Sequence, residues 1–246
     1  MTVDEKTFIE ALRRAAAQNG IAALIDEEKA EKLYALTVRM LAVNEQFNLT
    51  AITDPDRIIF LHYIDCLLEA AHFPLGASVI DVGCGAGFPS LPLAVCRPDL
   101  EITALDSTAK RVAYVEETAS SLGLTKLKTV TARAEEAARV PSLRERFDCA
   151  TARAVAALPV LSELCLPFVK EGGLFIAMKG KNAKAELAAS KNAIKTLGAT
   201  LEGVIDTPIT DFAGEVFARG TVLLRKSAKT PALYPRPYAK IAKKPL

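Results

Sequence analysis

The sequence predicts an α/β fold: a mostly parallel, seven-stranded sheet with helices on both faces and an N-terminal helical annex. One observation of rhythm and one of local chemistry carry that prediction. From Ala77 onward, short apolar runs of strand length alternate with stretches of helical periodicity, the order that makes parallel strands joined by crossover helices. The first run leads into Asp81-Val82-Gly83-Cys84-Gly85-Ala86-Gly87, and the second ends at Asp106. Alternating glycines after a strand let the backbone turn sharply and come close to a ligand, because no Cβ intervenes. An acid at the tip of the next strand stands where it can accept hydrogen bonds from both hydroxyls of a ribose. Together they mark a nucleoside site beyond the carboxyl ends of the strands, and a cofactor-using enzyme.

The elements follow in order. Residues 1–72 are the predicted helical extension, with Leu33, Leu36, Met40 and Leu41 on one face and Ile58, Ile59, Leu61, Ile64, Leu67 and Leu68 in a later apolar stripe. Thr53-Asp54-Pro55-Asp56 joins capping residues, an early proline and an acidic first turn, so a helix starts there. Residues 73–226 hold the main domain, with strands expected at 77–82, 101–106, 127–131, 147–152, 173–179, 200–206 and 216–225. Helices are expected near 88–96, 107–122, 159–169 and 182–197. Polar groups recur where these strands stop: Asp106-Ser107-Thr108, Arg133-Ala134-Glu135, Ala152-Arg153-Ala154 and Lys179-Gly180.

Residues 227–246 make a basic, proline-rich tail. From Arg225 onward Lys226, Lys229, Arg236, Lys240, Lys243 and Lys244 meet no acid, and prolines 231, 235, 237 and 245 are expected to preclude a regular helix. Tyr234 and Tyr238 lie among the charges, a composition that suits a phosphate backbone and unpaired bases. A solubilising terminus has the same composition.

Composition removes other classes. Half of the 246 residues are hydrophobic, enough for one substantial core with material left for an annex. A net charge of +2 is too mild to announce a nucleic-acid binder on its own. Cys66, Cys84, Cys96, Cys149 and Cys165 form no C-x-x-C pair, and two histidines supply no zinc spacing, so reduced thiols and no metal are expected. Without a histidine beside it, Cys84 reads as a small filler in the glycine turn rather than a nucleophile. No long apolar segment, signal peptide or lipidation motif stands out, and a soluble, cytoplasmic, monomeric protein without a membrane partner is expected.

The type of nucleoside is narrower than the motif. A dinucleotide site wants G-x-G-x-x-G, with the diphosphate over a helix N-terminus. Phe88 occupies the position of the third glycine. The pattern D-x-G-x-G-x-G instead resembles motif I of the class I S-adenosylmethionine (SAM) methyltransferases, which have a Rossmann-like fold. A nicotinamide or flavin nucleotide and a tight turn without ligand remain the alternatives at this point.

Beyond motif I, Asn48-Leu49-Thr50-Ala51-Ile52, His62-Tyr63-Ile64-Asp65, Phe88-Pro89, Asp106-Ser107 with Lys110-Arg111, Arg133-Ala134-Glu135, Thr151-Ala152-Arg153-Ala154-Val155 and Met178-Lys179-Gly180 occur in order. Together they resemble the ribosomal RNA small subunit methyltransferase G family, also called glucose-inhibited division protein B. The likeness runs from about Asn44 to the tail segments Tyr234-Pro235-Arg236 and Lys243-Lys244-Pro245-Leu246. It implies SAM-dependent methylation of N7 of one guanosine in 16S ribosomal RNA, free or in a small-subunit precursor, with S-adenosylhomocysteine as product. It also implies cofactor contacts at Gly83, Gly85, Gly87, Phe88, Asp106, Ser107, Thr108, Ala134, Glu135 and Arg153. The chain departs from a common family form at Ser90, where glycine often follows the proline, and around Tyr238-Ala239.

The chemistry agrees with the residues. Guanine N7 carries a lone pair and no proton, so no general base is needed and none is expected. Orientation alone contributes on the order of 7–11 kcal/mol in well-aligned reactions. Arg153 is the residue expected to hold the SAM carboxylate or guanine O6, with an ion pair closing a loop as the structural alternative. Asp106 serves the ribose or caps the following helix. Lys110, Arg111, Lys179, Arg236, Lys243 and Lys244 are the expected RNA-phosphate contacts, or solvated charges. His62 and Asp65, about one helical turn apart, are expected to link annex and sheet, with His62 structural. Competing functions are methylation of another RNA or a small molecule, a non-enzymatic SAM- and RNA-binding assembly factor, and a nicotinamide-dependent oxidoreductase.

Overall fold

Three aspartates start the annex helices in the computed structural model, which describes residues 3–246. Asp4 caps α1 (Glu5–Gln18) by accepting the Thr7 amide at 2.9 Å, and Asp26 caps α2 (Glu27–Asn44) through the Lys29 amide at 3.0 Å. Asp54 caps α3 (Pro55–Ile58) through the Arg57 amide at 3.0 Å, with Pro55 where its missing N–H costs nothing. The chain then winds as a π-helix over Ile59–Ile64 before α4 (Asp65–Leu67). All of the π segment is buried. Such wide turns recur at functional positions because they re-aim side chains. Phe8, Leu12, Leu33, Leu36, Met40 and Tyr63 fill the annex core, and the Tyr63 hydroxyl donates to the Leu33 carbonyl at 3.0 Å. Leu41 is only half-buried.

The main domain alternates as its sequence predicts. In order come β1 (Ser78–Val82), α5 (Ser90–Cys96), β2 (Glu101–Asp106), α6 (Ala109–Ser121), β3 (Leu127–Thr131), α7 (Ala134–Ala137), β4 (Phe147–Arg153), α8 (Leu158–Cys165) and β5 (Val169–Gly180). There follow α9 (Ala183–Ala189), α10 (Lys191–Thr196), β6 (Ala199–Asp206), β7 (Ile209–Thr210), β8 (Val216–Phe217), β9 (Arg219–Lys226) and α11 (Tyr238–Lys243). The large sheet has the order β3-β2-β1-β4-β5-β9-β6, and only β9 runs against the rest. Strand order reverses between β1 and β4, which opens a crevice at their carboxyl ends.

The sheet separates two cores. Val79 of β1 and Cys149 of β4 belong to the core shared with the annex, whereas Ile80, Val82, Ala150 and Ala152 belong to the opposite core under α8 and α11. Strand side chains alternate, so Asp81, Thr151 and Arg153 are directed to the annex face.

Some predicted boundaries shift for physical reasons. The run expected as one strand over 216–225 is interrupted at Ala218, and β8 turns away to pair with β7. That hairpin is held to the annex: the Asn19 amide group donates to the Thr210 carbonyl at 3.0 Å and accepts the Thr210 amide at 2.9 Å. The helix expected over 182–197 breaks at Ser190, whose hydroxyl donates to the Glu186 carbonyl at 2.6 Å. This competes with regular backbone pairing. β5 begins at Val169 rather than at residue 173. The expectation of a tail without helix is corrected by α11. Pro237 precedes its first turn and Pro245 lies past its end, both tolerated places, while fully buried Ile241 packs it on α8.

Candidate functional site

The glycine turn folds because its amides have a partner on the next strand. The Gly83 and Cys84 amides both donate to the Leu105 carbonyl, at 2.8 and 3.0 Å. Gly83 has φ +78°, and a Cβ there would lie 2.7 Å from Val155 Cγ2. Gly87, at φ +85°, would place a Cβ in clash with the Leu91 side chain. The first glycine lets Val155 approach the turn, and the last lets α5 close against it.

Asp106 is fixed by backbone donors. Its Oδ2 accepts the Gly85 amide at 3.0 Å and its Oδ1 accepts the Thr108 amide at 2.8 Å. Each carboxylate oxygen has lone-pair capacity left. Asp106 borders a cavity of about 350 Å³ formed by Val82 at the end of β1 and Gly83 after it, Leu105 in β2 with Ser107 and Thr108 after it, Ala132 to Glu135 after β3, and Ala154 and Val155 after β4. Arg111 of α6, Leu164 of α8 and Tyr238 of α11 complete it. Ala154 holds φ +56°, unusual for a side-chain-bearing residue, where β4 leaves the sheet beside the cavity. A cavity bordered by the Gly83 backbone and faced by a carboxylate with spare acceptors fits a ribose-bearing cofactor such as SAM.

The residues expected to contact that cofactor divide into groups. Gly83, Asp106, Ser107, Thr108, Ala134 and Glu135 lie together on the cavity. Gly85 meets it through the bond to Asp106, and Gly87 serves the packing of α5. Phe88 is 5% exposed and stacks on the His62 ring, with centroids 4.2 Å apart and planes at 11°. It faces the annex seam.

Arg153 also belongs to that seam. One guanidinium nitrogen donates to the Leu61 carbonyl and to Asp65 Oδ2, each at 2.9 Å, and another approaches His62 Nδ1 at 3.1 Å. Asp65 Oδ1 accepts Arg219 Nε at 2.8 Å, so one carboxylate joins two guanidiniums from β4 and β9. The loop-closing ion pair is thus formed, and Arg153 reaches the annex because odd positions of β4 face it. Because arginine only donates, His62 Nδ1 is the acceptor and Nε2 carries the proton toward Thr50 Oγ1 at 3.0 Å. Burial and the Arg153 charge press His62 down to about 3, which leaves it neutral, a linker of annex to sheet as expected.

Two further groups carried no separate expectation. Asp81 is fully buried, and burial pushes its carboxyl up to about 6 despite hydrogen bonds from Ser90 to Oδ2. Its Oδ1 lacks a hydrogen-bond partner among the described residues. The serine that departs from the family form therefore supplies Asp81 with its donors. Arg219 is the other addition, and a pairing 154 positions from Asp65 leaves no local signal. Burial pushes the Cys84 thiol well up, which suits a filler.

The expected RNA contacts also separate. Lys110, Lys243 and Lys244 are exposed, and Arg111 is half-buried on the cavity. Lys179 is corrected: it donates to the Ala156 carbonyl at 2.7 Å and pairs with Glu186 at 2.8 Å, with 9% of its side chain exposed. Arg236 is corrected likewise, since it grips the fully buried Glu163 side chain with bonds of 2.9 and 2.7 Å. The buried Glu163 carboxylate demands the Arg236 partner, and Lys179 is drawn inward to the Ala156 carbonyl and Glu186, so both cations are engaged within the fold. No helix of the described residues is long and apolar enough to cross a membrane.

A family model described as rRNA small subunit methyltransferase G matches residues 28–207. The ribosomal RNA small subunit methyltransferase G of Clostridium perfringens (strain 13 / Type A) is 45% identical over 223 residues, covering 90% of this chain and 92% of that protein. Its counterpart in Clostridium beijerinckii is 40% identical over 241 residues, covering 97% and 99%. Among solved structures, M. jannaschii TYW2 in complex with AdoMet aligns with a TM-score of 0.53 at 16% identity, over 66% of this chain and 75% of that one. That last likeness is one of fold.

Proposed function

The chain belongs to the ribosomal RNA small subunit methyltransferase G family, and from that premise we propose how its residues carry out SAM-dependent methylation at N7 of a guanosine in 16S ribosomal RNA. Asp106 receives the ribose hydroxyls, Gly83 provides close backbone approach, and Ser107, Thr108, Ala134 and Glu135 border the rest of the nucleoside. The observation that carries this assignment is the Asp106 carboxylate, pinned by two amides at the edge of the 350 Å³ cavity. When bound there, SAM supplies an electrophilic methyl group on sulfur.

The protein's own part is binding and orientation. N7 has no proton to give up, and no side chain is needed to take one. His62 is hydrogen-bonded within the seam and held neutral, and the buried thiols are pushed far above their usual range. Arg153 and Arg219 brace the annex against β4 and β9. Exposed Lys110, Lys243 and Lys244, with Arg111 at the rim of the cavity, supply positive charge for RNA phosphates. The substrate is 16S RNA or a small-subunit precursor, met by a monomer in the cytoplasm, where five unpaired buried thiols suit a reducing compartment.

Calorimetry with S-adenosylhomocysteine tests the site, and mass spectrometry of 16S RNA from a deletion strain tests the substrate. The mapped N7-methylguanosine is expected to disappear in that strain and return with the wild-type gene. Its persistence rejects the substrate. Unchanged cofactor affinity in Asp106→Ala rejects the site.

A further inference from the structure

The C-terminal tail is fastened at many points, and its fastening ends at the cavity. Arg144 donates to the carbonyls of Thr230 and Tyr234, each at 2.9 Å, and Arg139 donates to that of Leu233 at 3.1 Å and to that of Pro235. Arg236 then closes on Glu163, whose carboxylate also accepts the Arg236 backbone amide at 2.8 Å. Glu163 is fully buried, and the next residue, Leu164, lines the cavity. Ile241, fully buried, holds the other side of the short helix. Between these two anchors stands Tyr238, 39% exposed, on the cavity itself, with the Arg133 guanidinium 4.9 Å from its ring centroid.

This placement gives an exposed aromatic ring a use other than RNA. A phenol ring polarised by a cation and left open toward a nucleoside cavity is a stacking surface for a purine. We infer that Tyr238 is the aromatic wall for the nucleobase of the cofactor, so that the tail completes the cofactor site. The inference rests on the cavity being the SAM site proposed above. Since Arg236 and Ile241 set the position of the ring, the tail contributes to cofactor affinity before any RNA is present.

S-adenosylhomocysteine is the probe, with calorimetry and fluorescence as readouts. Tyr238→Ala is expected to weaken binding about tenfold, while Tyr238→Phe stays within about twofold, because stacking uses the ring and not the hydroxyl. The sequence contains no tryptophan, so Tyr238→Trp introduces the sole indole. Its emission is expected to change on titration, with a midpoint equal to the calorimetric Kd. Affinity of Tyr238→Ala equal to wild type, with Asp106→Ala weakened, overturns the tail's role and leaves the site standing. Unchanged affinity in both variants rejects the site itself. Should Tyr238→Ala fail to fold, the tryptophan titration decides: unaltered emission at saturating ligand overturns the inference.

Discussion

Asp106 and Asp65 are both held in place by two donors, yet one borders a cavity and the other closes a seam. Asp106 is gripped by the amides of Gly85 and Thr108, which orient the carboxylate without filling the space before it. Asp65 is gripped by Arg153 and Arg219, which fill that space with side chains and bind three chain segments together. Backbone donors leave a carboxylate available for a ligand, whereas paired guanidiniums consume it. Loss of function on mutation therefore has different origins in the two regions.

Asp65→Ala should separate them with the largest effect. It leaves Arg153 and Arg219 facing each other with their shared anion gone, and breaking buried pairs costs about 3–5 kcal/mol. Urea denaturation is expected to show a fall of that size. Full stability in this variant would mean that the seam holds nothing together.

Next comes a pH effect at Asp81, on the annex face of β1. Its folded value, about 6, lies above the ordinary carboxyl range because burial disfavours the charge. The folded state thus binds more protons than the unfolded chain between about pH 4 and 6. Stability from this group falls as pH rises through that window, and the penalty is complete above it. The size is on the order of 3 kcal/mol. The wild-type minus Asp81→Asn difference in unfolding free energy, measured at pH 4.5, 5.5 and 7, should carry that slope. A flat difference contradicts the burial explanation.

Asp106→Ala sharpens the comparison from the other side. It should lower affinity for S-adenosylhomocysteine by about 2 kcal/mol, since charge-assisted bonds contribute roughly 1.5–3 kcal/mol. The unfolding midpoint should move little, because water can reach the two freed amides. A large stability loss without an affinity loss would make Asp106 a helix cap alone.

The smallest effect belongs to Lys243 and Lys244. Replacing both with alanine should leave folding and cofactor binding intact and reduce the slope of log K against log salt for ribosomal RNA by roughly 1.4, at about 0.7 per lost single-strand contact. An unchanged slope assigns them to solvent.

Periodicity and the glycine turn were enough to read the order of strands and helices, β2 and β3 to the residue, and Asp106 as the acid facing the turn. These depend on local patterns of burial and backbone freedom within one strand-turn-helix unit. The fates of Arg153, Lys179 and Arg236 did not. A cation at a strand end or in a tail reads the same whether solvent, RNA or an acid awaits it, and Asp65, Glu186 and Glu163 lie 88, 7 and 73 positions away. The same distance hid the route of the tail, whose prolines suggested a loose arm until Glu163 and the Ile241 pocket held it against α8.

What the sequence determined by itself was the fold class, the glycine turn and the family, since these are written in neighbouring residues and their order. Which charges remain free for ligands and which are consumed in holding annex, sheet and tail together was decided only by the tertiary structure. The physical reason is that burying an ion requires a partner, and that partner is chosen by proximity in space, not along the chain.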